Sequence, residues 1–205
     1  MTIEELCKRS YDTAVAKGWH EEKRTFGEAI ALFHSEVSEA LECYRDPEHQ
    51  PGDIWFSEEG KPEGIVIELA DLLIRIGDTA VDKSIPIVGH MRLDMTIGCL
   101  GANFHPRTLR CPDCSHARCL PNTQHNPKLE EVKKLAIPDV LAEIHGDLSD
   151  AFRGEDDSDR ADGLCCAMGD VGILCIGQGW DLEKAVLMKM EYNESRPHRH
   201  GGKRA

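Results

Sequence analysis

A chain of 205 residues and 22.8 kDa can build one ample core or two small ones, and it opens MTIEELCKRS without a basic and apolar leader. Its 37 acidic against 24 basic residues leave a net charge of -13, which disfavours loose attraction to nucleic acid or anionic lipid across the surface as a whole. No run approaches about eighteen apolar residues, and the nine cysteines fall partly inside helical patterns, so the reading is a soluble, cytoplasmic protein with reduced thiols and no membrane span.

Thr2 followed by Glu5 makes a capping box, and the helix it starts should run to Gly18. A second helix is expected from Phe26 to Arg45, with Ala29, Ile30, Phe33, Val37, Ala40 and Leu41 at the spacing of one face, and DPEHQPGD ends it. Pro62 reads as the first turn of a third helix, Glu63 to Val81. Residues 99 to 127 have no helical period and hold four cysteines and three histidines, which marks a loop with its own logic. IPDVLAEIHGDLSDAFRG and DGLCCAMGDVGILCIG resume helical patterning, and a last helix begins at Asp181 and stops before Pro197. Few segments alternate with period two and aromatics are only 5%, so the fold class is all-α.

The later helices repeat the earlier ones. Aligning IHGDLSDAFR with FHSEVSEALECYR matches His145 with His34, Asp147 with Glu36 and Asp150 with Glu39. Asp170 then falls on Asp71, Ala167 replaces Glu68, and Lys189 falls on Asp94. The expected organisation is one domain, 1-205, made of a first repeat (1-95), a Cys/His-rich loop (96-127), and a degenerate second repeat with the C-terminal helix (128-204). Plain insertion of residues 82 to 179 is the competing account.

Positions i and i+3 share a helical face, so Glu36 with Glu39, and Glu68 with Asp71, each present two carboxylates side by side. Acids on a solvated face are the plainer reading of such pairs, but IELADLLI has almost no other polar surface to offer. If the two helices pack antiparallel, four carboxylates converge and repel unless a cation joins them. Oxygen-only ligands suit Mg²⁺ or Mn²⁺. His34 and His145 are read as packed neighbours of the acids, and Trp19 as a helix-capping residue that could instead stack on a base.

HSEVSEALE, a loop containing GKPEG, IELADLLIRI and the closing KMEYNESRPHRHGGKR together resemble the MazG-like, all-α nucleoside triphosphate pyrophosphohydrolases, with their ExxE, spacer, ExxD signature. The resemblance covers residues 1 to 80 and 180 to 204. It implies a helical bundle of that type that hydrolyses a nucleoside or deoxynucleoside triphosphate to monophosphate and pyrophosphate. Glu36, Glu39, Glu68 and Asp71 would bind Mg²⁺ or Mn²⁺, and Glu39 would take the proton from the attacking water. Lys189, Asn193 and Arg196 match the family's phosphate-binding positions, Lys61 joins them in substrate binding, and a homodimer is the expected assembly.

The chain departs from that pattern between its third and last helices, where about a hundred residues replace a short link. An intrachain pseudo-dimer, with carboxylates from the first repeat and cations from the second, is one way to fill that length. Within it CPDC and Cys119 give C-x2-C-x4-C, which suits a structural Zn²⁺ on Cys111, Cys114 and Cys119, with Cys99, His105, His116 and His125 as candidates for the fourth ligand. The alternative function is a non-catalytic, zinc-containing interaction module that retains a nucleotide-binding bundle. Di-iron chemistry is excluded, since no Glu-x-x-His motif occurs.

Overall fold

The computed structural model describes residues 1–91, 96, 97, 100 and 132–199, and among these the chain is mostly helical. The expected zinc ligands Cys99, Cys111, Cys114 and Cys119 lie outside the described residues, as does Asp94. The elements are α1 (Ile3–Ala16), α2 (Phe26–Arg45), β1 (Trp55–Phe56), β2 (Pro62–Glu63), α3 (Ile65–Asp82), α4 (Ile87–His90), α5 (Ile137–Arg153), α6 (Asp157–Gln178) and α7 (Leu182–Ser195).

Capping chemistry fixes the first two starts. The Thr2 hydroxyl accepts from the Glu5 amide at 3.1 Å and the Glu5 carboxylate accepts from the Thr2 amide at 2.8 Å. Thr25 and Glu28 repeat the device at the head of α2. α3 starts later than its proline suggests. Pro62 belongs to β2, which pairs antiparallel with β1 through Trp55 and Glu63, and Gly64 sits at φ 129° with a Cβ position only 2.5 Å from the Asp53 carbonyl oxygen. Only glycine tolerates that backbone and that approach, so the hairpin ends there and the helix begins at Ile65.

α3 is buried on nearly every side, from Ile65 through Ala80, which is the pattern of a central helix. α1, α2 and α7 pack around it, and α6 touches it. Glu36 meets Arg75 while Cys43 lies by Gly64, so α2 and α3 run antiparallel. α5 and α6 form a second hairpin, joined by only Gly154 to Asp156, in which Gly163 lets α6 reach the Ala151 backbone. α2 lies against α5, α4 packs on α6, and α7 packs on α3. His34 and His145 stack at 5.0 Å between ring centroids, with their Nδ1 atoms 2.7 Å apart.

α6 is long and apolar enough to cross a membrane by length and composition, but most of it is buried within the protein. It reads as a core helix. Beyond α7 the chain turns back: the Arg199 amide donates to the Lys17 carbonyl at 2.9 Å, and its guanidinium pairs with Glu21 and Glu22.

Candidate functional site

Three carboxylates meet where α2 faces α3. Glu36, Glu39 and Glu68 each offer an oxygen, all within 4.8 Å of one another, and among the described residues no other set of three His, Cys, Asp or Glu side chains comes so close. α2 supplies two because they sit one turn apart, and α3 supplies the third because the helices run antiparallel. Glu36 and Glu68 are buried, whereas the Glu39 side chain is 51% exposed. Hard oxygen donors at this spacing fit Mg²⁺ or Mn²⁺.

Asp71 stands outside this triad, among cations. Its Oδ2 lies 3.4 Å from Lys189 Nζ and 4.0 Å from an Arg75 nitrogen, and its Oδ1 accepts from Asn193 Nδ2 at 3.3 Å. Glu68 is held on both oxygens, Oε1 by Lys61 at 3.4 Å and Oε2 by Lys189 at 3.3 Å. Arg75 Nε reaches Glu36 Oε1 at 2.8 Å, and Lys61 also approaches Glu39 and Glu63 at 3.8 Å. Five carboxylates, Glu36, Glu39, Glu63, Glu68 and Asp71, thus face three cations.

The electrostatics sort these acids. Burial, then the Asp71 charge, push the Glu36 carboxyl up to about 8 although Arg75 pulls it down. Burial also acts to raise Asp71, but Lys189, Arg75 and the Asn193 donor outweigh it and hold that carboxyl at about 2. Glu68 is raised by burial, with Lys189 and Lys61 opposing. Burial alone would favour a neutral Lys189; Asp71, Glu68 and Glu36 reverse that and keep the ammonium charged. The proton therefore rests on Glu36.

A pH dependence follows. The folded chain holds the Glu36 proton more tightly than an unfolded chain would, so this group's contribution to metal-free stability is whole below about pH 4.5 and is gone once the pH passes about 8. Metal ligation needs the carboxylate, so binding should release a proton. Mn²⁺ affinity should rise about tenfold per pH unit up to about pH 8 and then level, as titration calorimetry in buffers of different ionisation enthalpy would show. A flat profile from pH 6 to 8 would place the ion away from Glu36.

Glu36, Glu39 and Asp71 line a cavity of about 670 Å³, inside the range of roughly 300–1,000 Å³ usual for small-molecule sites. Lys17, Arg24, Lys61, Arg75 and Arg196 line it with the acids, and Trp19, Leu32 and Ile74 add apolar wall. The structure brings together Glu36, Glu39, Glu68, Asp71, Lys61, Lys189, Asn193 and Arg196. Lys189 is 1% exposed and turned into Glu68 and Asp71, so its place is among the acids rather than at the cavity mouth.

Two groups escaped sequence reading. Arg75, four residues after Asp71 in an apolar helix, was legible as the one cation on that face. Asp78, which also lines the cavity, is bound by His20 Nε2 at 2.7 Å, and no sequence signal links those two residues. In the second half, Asp147 and Asp170 are buried, and Asp150 is partly so. Compared with known proteins, the chain matches no family model, no curated protein and no solved structure.

Proposed function

We propose that this chain hydrolyses a nucleoside or deoxynucleoside triphosphate to the monophosphate and pyrophosphate with the help of Mg²⁺ or Mn²⁺. The observation that carries the reading is the Glu36, Glu39 and Glu68 triad, two of whose acids line a cavity together with six lysines and arginines. Acids alone would repel a triphosphate; carboxylates and cations lining one cavity suit a substrate that arrives with a divalent ion. Glu36, Glu39 and Glu68 would hold the ion, which when bound screens the phosphate charge. Lys61 and Arg196 reach into the same space and would position phosphoryl oxygens. Glu39, the most exposed acid of the triad, is placed to take a proton from the attacking water. A panel of canonical and modified (d)NTPs with Mg²⁺ or Mn²⁺, with products separated, tests this. Pyrophosphate release is the expected result, and phosphate release or no turnover on the whole panel would overturn it.

The fused pseudo-dimer belongs to the same proposal. His34 contacts His145, its partner in the sequence alignment, as equivalent residues do across a two-fold axis. The exchange is reciprocal: α4, which follows α3, packs on α6, while α7, which follows α6, packs on α3. In this reading the working site takes its carboxylates from the first repeat, which also supplies Lys61 and Arg75, and is completed by Lys189, Asn193 and Arg196 from the second.

We also propose a structural Zn²⁺ on Cys111, Cys114, Cys119 and a fourth ligand such as Cys99. Metal analysis of protein purified without chelator should find about one zinc per chain, lost in the Cys111→Ser, Cys114→Ser double variant. Substoichiometric zinc together with unchanged stability of that variant would remove the zinc from the account.

A further inference from the structure

Glu68 divides its two oxygens between two cations. Oε1 faces Lys61, while Oε2 faces the ammonium of Lys189, which is shared with Asp71 Oδ2 at 3.4 Å. Sites that bind two divalent ions commonly place them about 3.5–4 Å apart with carboxylates bridging between them. Here the space between Glu68 and Asp71 is already filled by a charge on a side chain that is 1% exposed. Asn193, one turn further along α7, takes the other oxygen of Asp71 and holds that carboxylate toward Lys189.

We propose that Lys189 is a built-in second cation, a positioning residue that holds Glu68 and Asp71 and restricts the site to a single divalent ion. The proposal rests on the reading that Glu36, Glu39 and Glu68 bind Mg²⁺ or Mn²⁺. Charge supports it. With Lys61, Arg75 and Lys189 in place, one divalent ion brings the acids Glu36, Glu39, Glu63, Glu68 and Asp71 to neutrality, and a second would sit beside a buried ammonium and leave an excess of positive charge. Lys189 then acts on catalysis through the acids it orients, and it keeps Asp71 from being drawn into metal ligation.

Electron paramagnetic resonance of the full chain titrated with Mn²⁺ tests this without turnover. The wild-type protein should bind one ion in the site, with an uncoupled six-line spectrum. Lys189→Met should add a second, spin-coupled Mn²⁺ between Glu68 and Asp71, and Lys189→Arg, which keeps the charge, should restore the single-ion spectrum. A coupled pair in the wild type would overturn the proposal even if Lys189→Met fails to fold. A folded Lys189→Met chain that still binds one ion would overturn it as well. No bound Mn²⁺ in the wild type would instead sink the metal reading of the triad, and this inference with it.

Discussion

Under the proposed function, Glu39→Gln should lower turnover of the preferred nucleotide by roughly 10²–10⁴-fold while leaving the helical circular dichroism and the unfolding midpoint nearly unchanged. The contrast comes from where Glu39 sits. Its side chain is 51% exposed, and among the described residues its ion pair is the long 3.8 Å approach of Lys61, so an isosteric amide removes little folding energy. What it removes is an anionic oxygen from a triad within 4.8 Å and the group placed to accept a proton. Substrates released as pyrophosphate and monophosphate, counted in single-turnover and steady-state assays, give the number. Near-normal turnover would take Glu39 out of the chemistry, whatever the fate of the metal site.

The second large effect concerns stability, and its sign depends on which glycine is changed. A Cβ on Gly163 would stand 2.6 Å from the Ala151 amide nitrogen and 2.7 Å from its Cα, distances that force the α5 and α6 backbones apart. Gly163→Ala should therefore destabilise the chain by about 1–3 kcal/mol, even though alanine is the better helix former by about 1 kcal/mol. Gly146 also lies within a helix, α5, but a Cβ there meets nothing within 4 Å. Gly146→Ala should stabilise by about 0.5–1 kcal/mol. Urea unfolding of both variants checks the pair, and two shifts of the same sign would show that close approach between α5 and α6 does not govern Gly163.

Much of this was readable from residue order, and the parts that were not have physical reasons. An apolar stripe at helical spacing leaves α2 little freedom over Phe26–Arg45, and Thr25 with Glu28 closes its start. The acids were found because three-residue spacing on a helix is a local property. Pro62 misled, since a proline suits both a first helical turn and a short edge strand, and the deciding facts were tertiary: the pairing of Trp55 with Glu63 and the carbonyl of Asp53 against Gly64. The division of labour among the four acids was hidden for the same reason. Nothing in ELADLLIR says that Asp71 will turn toward a lysine 1% exposed on a distant helix while Glu68 keeps company with both sides. The His20 and Asp78 contact depends on how the turn after α1 folds over α3, which a linear pattern does not encode.

The hydrogen bond from Lys189 to Glu68 joins residues 121 positions apart. During synthesis the acidic helices are therefore made long before their counter-charge, and a nascent chain carries an incompletely neutralised acidic face until the last helix arrives. Closing so long a loop is slow compared with forming either hairpin, because non-local contacts come late and their entropy cost precedes their reward. Docking of α7 should therefore come late in folding, where it both relieves repulsion between acids and completes the cavity wall. Under the proposed function, hydrolytic competence would then appear in one late step rather than grow gradually.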